Sequence, residues 1–343
     1  MKKIISFLNA DIKIINSYFL FAIILIILVC VGYSSYALFS FTKTSNNVIE
    51  GTVGELKKSG ADTLIKLTNN KDNSGLYTIT HAADSTLQIG TNESVTEYRY
   101  RGASPKNYVT FNNEVWRIIG IFPTDDGAGN IENRIKLIRN ESIGAYYWNS
   151  NKISNTSSYN NWAGSTSTLN LELNKTYYNN LISEAKNMIE KAKYYLGGYG
   201  SNNHTPVEFY SYERKIQNTT ENEFYYGTNP NSWVGNIAIM YVSDYGYASS
   251  NCENKFIIGN ATTDIRACND TNWLYNIKEK EWMLDQNSSY NSFVYNVLAT
   301  GTMFSIDDAN KYKSAVRPTL YLKSNVKITG GSGTSTNPYT LGL

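Results

Sequence analysis

VWRIIGIF, residues 115–122, is a near-continuous apolar run rich in β-branched side chains and closed by Pro123. Such a run reads as a strand buried on both faces. Asp125-Asp126-Gly127-Ala128-Gly129-Asn130 follows as a turn, and RIKLIR (134–139) returns as a second strand.

Outward from this pair, residues 168–182 read as a helix through Leu169, Leu173, Tyr177 and Leu181. Ala185, Met188, Ile189, Ala192, Tyr195 and Leu196 form one helical stripe, with Ser183 to cap its start and Gly197 its end. NIAIMYV (236–242) reads as another buried strand, with Ser243 placed to cap a short helix after it. FVYNV (293–297), PTLYL (318–322), NVKIT (325–329) and PYTL (338–341) read as closing strands. Helices in the middle and strands towards the end predict an α+β domain over residues 96–343, not an alternating parallel sheet. Residues 40–95 carry few and scattered apolar side chains and several turn residues, so they read as a stalk with short strands.

Composition bounds the partners. With 31 Lys and Arg against 29 Asp and Glu, the net charge is +2, and no long block of like charge occurs. A nucleic-acid binder needs a basic stripe, so no nucleic-acid partner is expected. Tyr numbers 28, beside abundant Asn and Ser. These residues are the vocabulary of exposed recognition surfaces, because Tyr gives large contact area at low entropic cost. An AT-rich genome produces the same bias.

The clearest signal is N-terminal. YFLFAIILIILVCVGY (18–33) has no charge, and Ala37, Leu38 and Phe39 extend it to a segment, 18–39, long enough to cross a bilayer of roughly 30 Å. Lys2, Lys3 and Lys13 precede it, with Asp11 as the one opposing charge. The positive-inside rule then predicts a cytoplasmic leader over 1–17, membrane contact through 18–39 and an extracellular remainder. Ser35-Tyr36-Ala37 presents small residues where a signal peptidase reads. The domain is therefore expected either at the cell membrane, facing outward, or secreted after cleavage near Ala37. Cys30 lies inside the apolar segment. Cys252 and Cys268 form an even pair beyond it, which an exported protein would bridge. That bridge would close a loop of about 16 residues and contribute about 3 kcal/mol. Two unrelated buried thiols are the alternative.

Enzyme signatures are sparse. His81 and His204 are far apart, lack metal-ligand spacing and read as surface residues, so no metal site is expected. No Ser sits in a GxSxG elbow. GGSGTS (330–335) lacks the GK[ST] of a phosphate loop and reads as a hairpin turn. Asp125-Asp126 lacks the alternating oxygens of a calcium loop. No catalytic residue and no cofactor follow from these patterns. A dispersed carboxylate pair for glycoside hydrolysis needs no sequence proximity and stays open.

YRYRGASPKNYVTFNNEVWRIIGIF (98–122), IKLIRNES (135–142), NNWAGSTSTLNLELNKTYYNNL (160–181), IAIMYVSDYGYA (237–248), NWLY (272–275) and VRPTLYLKSNVKITGGSGTSTNPYTL (316–341) carry a resemblance. In this order they resemble a family of exported proteins from Gram-positive-type gut bacteria. That family is similar to the C-type-lectin-like fold of formylglycine-generating (sulfatase-modifying) enzymes. A C-type-lectin-like domain is what the resemblance implies. Two departures matter. Where the family has a Trp-Trp-Leu-Arg-Ser stretch, this chain has Trp282-Met283-Leu284-Asp285-Gln286, so a cation is replaced by Asp285. The calcium-lectin triplet is missing, with Asn229-Pro230-Asn231 the nearest match. More weakly, YALFSFTKTSNNVIEGTVGEL (36–56) resembles the processing region of secreted matrix-fibre proteins.

In C-type-lectin-like folds, loops of the late strands carry ligand contacts. The resemblance therefore puts DQNSSYNS (285–292) on or near that surface, with Trp282 in the core and Asp285, Asn287, Tyr290 and Asn291 as rim residues. A passive loop is the other reading. The expected function is a cell-surface or secreted, non-catalytic binding module for a glycan or protein ligand. A secreted matrix component and an extracellular hydrolase are the alternatives.

Overall fold

The apolar run at 115–122 lies inside a twelve-residue strand, Glu114–Asp125, in which Trp116 through Phe122 are all buried. Burial on both faces is as expected, but Pro123 does not end the strand. It sits opposite Asn133, and pairing continues to Asp125. Gly120 marks a bulge in this pairing. A β-carbon there would lie 2.1 Å from the Tyr98 carbonyl oxygen of the neighbouring strand, so only glycine allows the approach.

The computed structural model describes residues 58–343 apart from 72–73, 152–157, 165–166, 202, 217–222, 251, 259–262 and 277. The leader, the apolar segment 18–39, the cleavage site near Ala37 and the stretch 36–56 lie outside the described residues.

Along the chain, α1 (Gly60–Ile65) precedes β1 (Gly75–His81), β2 (Val95–Arg101), β3 (Tyr108–Phe111), β4 (Glu114–Asp125), β5 (Ile131–Arg139) and β6 (Ala145–Tyr147). Then come α2 (168–180), α3 (Ser183–Met188), β7 (Ile189–Glu190), β8 (Ala192–Tyr195), α4 (Pro206–Glu213), β9 (Ser232–Gly235), β10 (Ile237–Ala238) and α5 (Val242–Tyr247). The last third holds β11 (Glu281–Gln286), β12 (Phe293–Val297), β13 (Met303–Asp308), β14 (Lys313–Ala315), β15 (Thr319–Leu322), β16 (Lys327–Gly330) and β17 (Thr340–Gly342).

One sheet runs β1-β2-β4-β5-β15-β10, with β3 on β4 and β7 on β15. The late strand β15 completes this early sheet: Leu320 pairs with Leu137 on one side and Ile237 on the other. The second sheet runs β13-β12-β11-β14-β6. Pairing is antiparallel except between β11 and β14, where Glu281 faces Ala315. Between the sheets, α5 packs against both β2 and β11.

These findings overturn the expected α+β, C-type-lectin-like architecture. Strand accounts for 36% of the structure and helix for only 17%, and the sheets are essentially antiparallel. Among the described residues no helix is long and apolar enough to cross a membrane. Lys58–Leu343 is one compact unit, because β1 pairs with β2 along its whole length, from Gly75↔Arg101 to His81↔Val95.

The helix expected over 183–196 is cut short. It ends at Met188, and Ile189 turns extended to pair with Leu322. Ala192–Tyr195 then pairs with β9, burying Ala192, Tyr194 and Tyr195. Long-range pairing has overridden a stripe that fits either period. Gly197 caps no helix. A β-carbon there would sit 2.0 Å from the Tyr212 carbonyl oxygen. The first expected helix does form, but its middle turn, Glu172–Tyr177, is π-helical. Cys252 and Cys268 are disulfide-bonded, with Cα atoms 6.1 Å apart.

Candidate ligand-binding site

The stretch expected as a recognition rim is mostly interior. Trp282 is core, as expected, but burial continues without a break from Glu281 to Ser288. The Asp285 carboxylate accepts a hydrogen bond from the Val242 amide at 2.8 Å. Gln286 donates to the Leu196 carbonyl and accepts from the Asn229 amide group. Asn287 donates to the Ser305 carbonyl and accepts from the Ser289 amide. From below, Asn160 Nδ2 donates to the carbonyls of Asn287, Tyr290 and Phe293. Asp285 and Asn287 are thus buried and held in internal hydrogen bonds, Asp285 through Oδ2 and Asn287 through both ends of its amide. Ser289, Tyr290 and Asn291 are exposed, Tyr290 at 56%, and Ser292 is half-buried. Polar side chains in a loop are no guide to exposure when they satisfy a buried backbone.

Around the N-terminal end of α5 lies a buried cluster of charged side chains that the sequence did not announce. Lys136 Nζ donates to Asp244 at 2.5 Å, and Arg99 bridges Asp244 at 3.0 Å and Glu97 at 2.5 Å. Burial alone would raise the Asp244 carboxyl. Lys136 and Arg99 outweigh it and hold the group below the ordinary carboxylate range. Glu213 pairs with Arg214 and accepts from the Ser243 amide and hydroxyl. Burial, reinforced by the neighbouring Glu213, pushes the Asp285 carboxyl well up. A void of about 10 Å³ adjoins the cluster, bordered by Glu97, Arg214, Tyr195 and Tyr210. A space of that size holds at most a water.

The histidines are not plain surface residues. His81 stacks on Tyr210 with ring centroids 3.4 Å apart and lies 3.1 Å from Glu97. His204 Nδ1 is 3.2 Å from the Tyr212 hydroxyl. Among the described residues no group of three or more His, Cys, Asp or Glu side chains is placed to hold a metal ion. In the turn at 125–130, the Asp125 carboxylate accepts from the Gly127 and Gly129 amides, and Asp126 from Ala128.

Open concavities lie elsewhere. A cleft of about 260 Å³ is lined by Tyr146, Tyr147, Ser150, Thr168, Glu172 and Lys313, over Ala145 and Leu169. Its floor is rigid. Tyr147 pairs in register with Lys313 across β6 and β14, and the Trp282 indole N–H donates to the Tyr146 carbonyl at 2.8 Å. Lys313 Nζ stands 5.1 Å from the Tyr147 ring centroid. The opposite wall is the start of α2, where Thr168 Oγ1 accepts from the Ser150 amide. Glu172 opens the π-helical turn. A second cleft, of about 390 Å³, lies between the β3–β4 hairpin tip at Asn112-Asn113 and α3, against Ile182, Ala185, Met188 and Leu341. Reading by sequence missed both clefts. AYY (145–147) is too short for a periodic signal, and Glu172 sat unremarked in a helical stripe.

No family model, no curated protein and no solved structure matches this chain.

Proposed function

We propose that this chain is a non-catalytic ligand-binding module carried to the cell exterior by residues 18–39. It is either held at the membrane or released after cleavage near Ala37. The observation that carries the reading is a contrast between two kinds of polar group. The perturbed carboxyl groups, Asp244, Glu213 and Asp285, are buried and accept internal hydrogen bonds. The groups offered to solvent in open clefts are tyrosines, hydroxyls and single charges, a set suited to holding a ligand. A disulfide in the long segment between α5 and β11 agrees with an oxidising, extracellular setting.

Two measurements test the reading. Protease added to intact cells should degrade the domain, and survival until lysis would sink the exported topology. Purified full-length protein should gain melting temperature with a glycan or surface-protein ligand. Product release from that ligand would point instead to an extracellular hydrolase, and concentration-dependent fibres to a matrix component.

A further inference from the structure

We infer that the cleft between β6, β14 and the first turns of α2 binds a neutral saccharide ring. The inference rests on the binding-module reading above and names its site and ligand class.

Charge decides the class. Among the described residues, the Glu172 carboxylate and the Lys313 ammonium line the same cleft and neither has an ion pair or a hydrogen bond. Lys313 makes only the contact to the Tyr147 ring, which is weak at an exposed site and easily given up. An anionic ligand would meet Glu172, and a cationic one would meet Lys313. A hydroxylated neutral ring uses both: its hydroxyls donate to the carboxylate and accept from the ammonium. Such charge-assisted hydrogen bonds are roughly twice as strong as neutral ones. Ser150 and Thr168 add hydroxyls that donate and accept at the same wall. The half-buried Tyr147 ring offers an apolar face for the C–H side of a sugar, with a hydroxyl at its edge.

Size agrees. About 260 Å³ lies just below the range of drug-sized ligand pockets, which suits a ring-sized ligand or the end of a chain. The local backbone supplies a second, independent observation. Glu172 begins a π-helical turn, a rare conformation concentrated at functional sites. The widened turn lets Asn174 bind the backbone of residues 236–237, accepting from the Asn236 and Ile237 amides and donating to the Ile237 carbonyl. That anchoring ties α2, and with it Glu172, to β10 of the first sheet.

The test uses the full-length protein and calorimetric titration with glucose, galactose and N-acetylglucosamine oligomers. Galacturonate and glucosamine oligomers serve as charged controls. The neutral sugars should bind more tightly than either control. Tyr147→Ala and Glu172→Gln should each weaken binding about tenfold, as expected when a ligand anchor is removed. Tyr290→Ala should leave it unchanged. Both cleft variants alter partly exposed side chains, so unchanged melting temperatures would confirm that they fold. Sugar binding that persists unaltered in Tyr147→Ala and Glu172→Gln overturns the cleft assignment and leaves the module reading standing. Binding of a surface protein with no sugar binding overturns the saccharide assignment alone. Sugar cleavage that is lost in both variants supports the cleft and overturns the non-catalytic reading.

Discussion

Asp285 and Glu213 are neighbouring carboxyl groups buried at the N-terminal end of α5, each accepting from a first-turn amide of that helix, Val242 and Ser243 respectively. Arg214 supplies one adjacent positive charge for the two acids. Like charges so close cannot both ionise in a dry core, so the pair retains a proton, and Asp285 is the member pushed well up.

The retained proton gives a pH signature. The folded state holds a proton on Asp285 that the unfolded chain releases above about pH 4. From there up to the folded-state pKa, the native protein binds more protons than the unfolded one. Its stability contribution is therefore full below that window and is lost as pH rises through it. Asp285→Asn keeps an acceptor for Val242 and removes the titrating group. The melting temperature of wild type minus that of Asp285→Asn should fall on going from about pH 4 to about pH 8. A flat difference would mean that the pair holds no extra proton.

Asp244 acts with the opposite sign. Its carboxyl is held low while it neutralises Lys136 and Arg99 and accepts from the Tyr241 amide. Asp244→Asn strands Lys136 in the core and should cost about 3–5 kcal/mol in urea denaturation. Adding Lys136→Met removes the stranded charge and should recover much of that loss. If the double variant is as unstable as the sum of the two single ones, the pair is not coupled.

The bridge between Cys252 and Cys268 closes a segment with a sequence separation of 16. Cys252→Ala should lower stability by about 2–4 kcal/mol. Non-reducing peptide mapping of exported protein should recover the two cysteines in one linked fragment. Free thiols at both positions would end the claim.

Strands buried on both faces were legible because burial leaves near-continuous apolar runs. VWRIIGIF lies in β4, FVYNV is β12 and TLYL is β15. The segment after Met188 was misread because Ala192 and Tyr195 satisfy a helical stripe as well as a strand face, and only pairing with β9 decides between them. The buried charges were illegible for a related reason. Arg99 and Asp244 are 145 residues apart, so nothing near either one shows that it has a partner. DQNSS looked like surface because its polar side chains were counted without Leu196, Asn229 and Ser305, which meet them in the fold. The cleft was invisible because β6, β14 and α2 bring single residues together from three separate places.

The two ends of the 282–290 stretch should answer mutation very differently. Trp282 is 1% exposed and its indole donates to the Tyr146 carbonyl; Tyr290 is 56% exposed and touches Phe293, with ring centroids 4.9 Å apart. Trp282→Ala leaves a large cavity under β6 and should cost about 3–5 kcal/mol. Trp282→Phe keeps most of the volume but leaves a part-buried carbonyl without its donor, for a cost of about 1 kcal/mol beyond the lost packing. Tyr290→Ala should stay within about 0.5 kcal/mol of wild type, because a solvent-facing tip carries little of the fold. Because the Tyr146 carbonyl lies in the cleft floor, Trp282→Phe should also weaken ligand binding at the cleft, whereas Tyr290→Ala should not. Urea denaturation of the three variants ranks the costs. If Tyr290→Ala proves as costly as Trp282→Phe, the exposed tip is a structural clamp on β12 and not a free surface.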